Sequence, residues 1–230
     1  MINKSVYISR WSVWSPGVCT KEDWQAWSCG KKSLSSSFEK PVLDYVPSLF
    51  KRRLSQLTRM TIQVGHEVLS GHPPMKLAFA SVYGEIGQQL KITKKLVEEN
   101  EVSPANFSLS VFNTPVAALS IVEKNTEGYV ACYPGPEAFK TGFLESAAAI
   151  LAGSDRDRLF ITADENIPEE YKALHEGKSM PYAIALVLSS SECEGSIKID
   201  IEDFIKWIPE DDGTPAALHF LKEKILPGSV

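Results

Sequence analysis

Apolar positions along the chain follow two rhythms. Val6–Val13 alternates loosely and carries β-formers, which predicts a first strand turned by Ser15-Pro16-Gly17. Lys76–Ser81, Leu159–Thr162 and Tyr182–Ser189 are short apolar runs. The last has no polar face, as expected of a strand covered on both sides. Ser196–Ile201 alternates like an edge or hairpin strand. Between these runs the period is helical. Thr20 and Asp23 form a capping box before a helix with Trp24 and Trp27 inward and Gly30 at its end. Ser48–Leu69 predicts one continuous amphipathic helix, with Phe50, Leu54, Leu57, Thr61, Val64 and Val68 on one face. Ile86, Leu90 and Val97 carry another. Ser103-Pro104 and Thr114-Pro115 each place a hydroxyl cap before a helical proline. Asp203–Ile208 and Pro215–Leu226 read as helices, the second capped by Thr214. The serine-rich Lys31–Lys40 reads as a mobile loop.

The stretch Tyr129–Ala152 organises the rest. Tyr129–Tyr133 predicts a buried strand, and Pro134-Gly135-Pro136 ends it because proline has no amide to give. Glu137 opens a helix at the positive end of its dipole. Phe139, Phe143, Ala147, Ile150 and Leu151 fall on one stripe, and Gly153 caps the end. A strand that delivers one residue to a helix N-terminus is how many enzymes present a nucleophile. Strands and helices interleave throughout, so the expectation is one α/β unit over residues 1–230, a layered mixed sheet with helices on both faces. Residues 190–230 stand as a C-terminal extension without assignment.

Composition removes several classes. A net charge of −5 argues against a general nucleic-acid binder. No apolar run is long enough to insert in a membrane, and the N-terminus has no apolar signal core. Cys19, Cys29, Cys132 and Cys193 form no CxxC pair, which fits free thiols in a cytoplasmic protein. No cofactor or metal motif is present. Asp155, Asp157, Asp164 and Glu165 alternate with Arg156 and Arg158 and read as a solvated turn. His66, His72, His175 and His219 are scattered and read as surface or satisfied residues. Lys51, Arg52, Arg53 and Arg59 are either a solvated helix flank or a landing site for an acidic partner such as an acyl carrier protein. Cys132 lies within the strand, five residues before Glu137, and reads as packing.

The run from Asn106 to Glu165, with FSLSVFN as its most specific part, resembles the N-terminal half of a β-ketoacyl synthase of the thiolase fold. It is more similar still to the short synthase-like chain length factors of aryl polyene biosynthesis. The similarity extends from Val6 to about Leu188. In active members a cysteine at the helix N-terminus takes the acyl chain as a thioester; the resemblance puts Glu137 in that slot. A glutamate cannot do this work at neutral pH. The family's chain length factors also lack the cysteine, typically having glutamine. Active members draw two histidines and a lysine from a second half, and no HGTGT-like run is present here. The resemblance therefore implies a non-catalytic partner of a full-length β-ketoacyl synthase, forming a heterodimer within a type II polyketide or fatty-acid-type pathway. It implies an interface and acyl-tunnel wall at Phe112, Asn113, Thr114, Tyr129, Val130, Ala131, Cys132 and Tyr133, with a carrier-protein contact at Lys51, Arg52 and Arg53. Two alternatives stand beside it: an acyl-thioester enzyme using Cys132 or Glu137, such as a malonyl decarboxylase, and a homodimeric scaffold.

Overall fold

The computed structural model describes residues 4–132, 135–174 and 180–228. Ten residues, Ser5–Trp14, make β1. The strands Lys76–Ala80 (β2), Tyr129–Ala131 (β3), Asp157–Asp164 (β4), Tyr182–Ser189 (β5) and Ile197–Asp200 (β6) join it in one sheet of order β3-β2-β4-β5-β1-β6. Strand β2 runs parallel to β3 and β4, and the remaining pairs are antiparallel. Alternation sends the two sides of each central strand into separate cores. Along β5, Ile184, Leu186 and Leu188 enter one core, whereas Ala183, Ala185 and Val187 enter the other.

Two helices cover the second face. Gln56–Leu69 (α3) brings Leu57, Met60, Val64 and Val68, and Thr114–Val122 (α6) brings Val116 and Leu119. They approach closely because position 65 is glycine: a Cβ there would lie 2.4 Å from a Leu119 methyl. The first face holds α1 (Lys21–Ser28), which has the expected capping box, and α7 (Ala138–Leu151). Phe139, Phe143, Ala147 and Ile150 of α7 are buried as the stripe requires, while Leu151 is 37% exposed. Gly142 lets α7 lie against the sheet, since a Cβ there would meet Phe160 at 2.6 Å and Ala80 at 2.8 Å.

The C-terminal residues extend this architecture. Ile197–Asp200 adds the edge strand β6. Ile201–Lys206 (α8) and Ala216–Phe220 (α9) then place Phe204 and Phe220 against Phe139 and Phe143. Residues from Leu221 continue as a π-turn and a 3-10 turn, so the last predicted helix is three short pieces.

Four expectations change. The helix predicted over Ser48–Leu69 is two: α2 (Ser48–Lys51) and α3, broken at residues 52–55. Ser55 causes the break by capping α3, its hydroxyl accepting from the Thr58 N–H at 2.9 Å. Lys31–Lys40 has no regular structure, yet buried amides hold it. Gln56 donates to the Ser37 and Glu39 carbonyls, and Asn166 to those of Ser36 and Ser37. The strand predicted as buried, β3, is an exposed edge of three residues. The predicted caps also shift: Asn113 precedes Thr114 at the start of α6, and Pro215 precedes α9.

Candidate functional site

The chain enters the junction along β3. In a parallel ladder, alternate residues bond to the neighbouring strand. Leu77 N–H donates to the Gly128 carbonyl at 3.1 Å, and Cys132 N–H to the Phe79 carbonyl at 2.7 Å. The even positions of β3 therefore face β2. The backbone groups of Tyr129 and Ala131 face outward, onto the free sheet edge. Tyr129 and Val130 are each 39% exposed. Tyr133, Pro134 and His175 lie outside the described residues.

Glu137 stands at the N-cap of α7, exposed, and its side chain makes no capping hydrogen bond. Lys140, one turn on, reaches the Trp207 carbonyl at 3.1 Å instead of pairing with it. Cys132 is buried, and burial pushes its thiol above the ordinary range, which disfavours the thiolate. The junction thus presents a solvated carboxylate and an inert thiol.

Beside it lies a cleft of about 460 Å³, between the start of α7, the C-terminal ends of β2 and β4, and residues 211–216. Phe139, Ile167, Met180 and Val82 give it apolar walls, and Asp164 lines its floor. Asp164 Oδ1 accepts from Ser81 Oγ at 2.7 Å, Val82 N–H at 2.8 Å and Tyr83 N–H at 3.2 Å, and Oδ2 accepts from the Tyr182 hydroxyl at 3.2 Å. Burial pushes this carboxyl up to about 6, against the opposing pull of those donors. Through these bonds Asp164 fastens the end of β2 to β5. Asp164→Ala should cost about 2–4 kcal/mol, since it strands several buried donors. Asp164→Asn keeps the acceptor at Oδ1 and should cost less. The raised value means the folded form holds a proton that the unfolded chain has released above 3.8. Stability from this group is therefore full below that value and is lost as pH rises to about 6. The total is roughly 3 kcal/mol at about 1.36 kcal/mol per unit. Urea titrations of the three proteins between pH 3.5 and 7 read both effects.

The acidic run after α7 is therefore no solvated turn. Asp164 and Glu165 are buried, and the Asp155 side chain is 8% exposed and holds the buried Arg158 guanidinium at 2.5 Å. Only Arg156 and Asp157 have the exposed character expected. Sequence patterning missed this because the strand residue Arg158 draws Asp155 and Glu145 inward together. Among the described residues, no three His, Cys, Asp or Glu side chains converge as a metal site.

The other predicted residues separate. Asn113 Nδ2 donates to the Tyr129 hydroxyl at 3.0 Å, which joins α6 to β3. Thr114 is buried, its hydroxyl donating to the Ser108 carbonyl at 3.1 Å. Phe112 packs 5.8 Å from Phe79 and over Gly84, where a Cβ would strike its ring at 2.6 Å. Lys51 donates to the Leu43 carbonyl at 3.0 Å and Arg53 to that of Ala105 at 3.2 Å, while Arg52 is exposed. Patterning also missed the projecting pair α4 (Ile86–Glu99) and α5 (Pro104–Phe107) as a surface. None of the α4 residues is buried, and Leu96, Val97, Val102 and Phe107 are 41–79% exposed.

Residues 24–211 match the family described as β-ketoacyl synthase, N-terminal domain. No curated protein sequence matches the chain. Among solved structures, a ketosynthase (ApeO) in complex with its chain length factor (ApeC) from Xenorhabdus doucetiae is 28% identical, with a TM-score of 0.74. That match covers 82% of this chain and 80% of the other, so the two are close in length. The ishigamide ketosynthase/chain length factor has a TM-score of 0.67 at 11% identity, over 83% of this chain and 63% of that one. A β-ketoacyl synthase from Burkholderia phymatum STM815 has a TM-score of 0.63 at 12% identity, over 82% and 60%. These last two share the thiolase-like fold.

Proposed function

Because the chain belongs to the β-ketoacyl synthase N-terminal domain family, we propose that it is a non-catalytic, chain length factor-like subunit that pairs with a complete ketosynthase. The observation that carries this is the open edge of β3, leading into a junction with Glu137 at the N-cap of α7, the position that the resemblance puts in the family's cysteine slot. In the family that strand pairs with its counterpart across the dimer. Here its outward backbone groups lie on the sheet edge, and the exposed Tyr129 and Val130 supply apolar area there. The similar Xenorhabdus structure is itself a ketosynthase with its chain length factor.

In this reading the subunit walls the far end of its partner's acyl pocket. Tyr129, Tyr133 and Phe112 limit product length by volume, Phe112 through its hold on Gly84. Carrier-protein docking rests on Arg52, since Lys51 and Arg53 already have backbone partners. The working compartment is the cytoplasm. Co-expression with a ketosynthase of the aryl polyene type, followed by size exclusion, tests the pairing. A heterodimer is expected, and a homodimer indifferent to the synthase sinks the proposal. Chain length is then read from products of the reconstituted pair: Tyr129→Ala should lengthen them.

Covalent labelling separates this reading from the enzyme alternative. Incubated with malonyl- or acyl-carrier-protein thioester, the purified chain should show no acyl adduct by intact mass at neutral pH, given the buried Cys132 thiol. A stoichiometric adduct on Cys132 or Glu137 would restore the enzyme reading.

A further inference from the structure

Helices α3 and α4 begin side by side over two buried carboxyl groups that pairing with a synthase leaves without a role. Glu85 stands at the N-cap of α4. Its Oε1 accepts from Ser55 Oγ at 2.8 Å and from Thr58 Oγ1, both at the start of α3. Its Oε2 is buried without a partner. Glu165, just past β4, bridges the same two helices. Its Oε1 accepts from the Gly87 N–H at 3.1 Å and its Oε2 from the Leu57 N–H at 3.4 Å. Each helix start leaves amides that need acceptors, and Glu165 accepts one from each, whereas Glu85 accepts only hydroxyls of α3's first turn and its cap.

We propose that Glu85 and Glu165 form a proton-holding clamp, keeping one proton between them at neutral pH and releasing α4 from α3 when it is lost. The geometry places the proton on Glu85 Oε2. Glu165 already receives a backbone N–H on each oxygen, whereas Glu85 Oε2 receives none. Ionising it creates a second buried anion with no donor at that oxygen. Burial, then the neighbouring Glu165 charge, pushes Glu85 up to about 8, and the Ser55 and Thr58 hydroxyls pull the other way. Burial also raises Glu165, opposed by its two amides. The charged groups facing the pair are few. Lys40 from the preceding loop acts on both, and Lys91 of α4 acts on Glu165. Arg59 of α3 acts on Lys40, whose own ammonium is disfavoured by burial and bonded to the Leu54 carbonyl. A carboxyl raised in the folded state stabilises it fully below its ordinary range, and that advantage is lost as pH climbs to the folded value.

The test is a pH titration of the full chain labelled with ¹³C at the glutamate side-chain carboxyl, from pH 5 to 9.5. One resonance should titrate above pH 7 and be absent from Glu85→Gln. In Glu165→Gln the Glu85 resonance should titrate at lower pH, because the neighbouring charge is gone. Hydrogen exchange of α4, corrected for the intrinsic pH effect, should quicken at least tenfold between pH 7 and 9 in the native chain and stay level in Glu85→Gln. The native titration needs no variant, so a poorly folded Glu85→Gln leaves the test intact. All glutamate resonances titrating below pH 6, or an α4 response identical in Glu85→Gln, would overturn the clamp.

Discussion

Ala131→Pro should abolish co-purification with a ketosynthase while leaving this subunit folded. The outward amide of Ala131 makes no bond to β2, so proline removes only a donor to the free edge and fills that edge with its ring. A lost interstrand bond plus the steric block exceeds about 1.4 kcal/mol, so affinity should fall at least tenfold. Val130→Pro is the contrasting variant. Position 130 bonds inward to β2, so this change should lower the stability of the isolated subunit as well. The pair of measurements is pull-down strength and thermal midpoint, and unchanged pairing by a folded Ala131→Pro protein would move the interface elsewhere.

Phe143→Ala should cost about 3–5 kcal/mol, the range for truncating a fully buried aromatic. Phe143 is 0% exposed, and its ring lies 4.3 Å from Phe204 and 5.5 Å from Phe220 by centroid. For a chain of this size each kcal/mol lowers the midpoint by about 2–4 °C, so roughly 10 °C should be lost. The location of the partners matters more than the total. Phe204 lies near the end of the matched residues 24–211, and Phe220 lies beyond them. If α8 and α9 are the lid of α7, a Phe143→Ala, Phe204→Ala cycle should show a coupling of about 0.5–3 kcal/mol. Additive losses would mean that these residues rest loosely on an already complete core.

Much of this architecture is legible in residue order. The two-sided strand β5 follows from YAIALVLS, with no polar position to spare for solvent. The stripe of α7 and its Gly153 terminus, with a φ of +73°, follow from spacing alone. The Thr20–Asp23 capping box is local chemistry and is found where expected. The departures share one cause. A hydrophobic stripe continued through Phe50 and Leu54, but the Ser55 hydroxyl took the Thr58 amide and started a fresh helix. Asp164 and Glu165 sit in a charged neighbourhood of the sequence, but Ser81, Tyr182, Gly87 and Leu57 arrive from elsewhere to receive them.

Residue order by itself determined the family, the strand-turn-helix junction and the carboxylate at its tip. The family rests on resemblance along most of the chain, whereas the junction and its carboxylate depend on neighbours within a few positions, where spacing sets which side chains share a face. Only the tertiary structure decided that β3 is an open border, that two glutamates are shut inside, and that the tail covers the central helix. Whether a strand is bordered on one side or two, and whether an acid meets water or amides, depends on segments up to about a hundred positions away. Short-range periodicity carries no record of them.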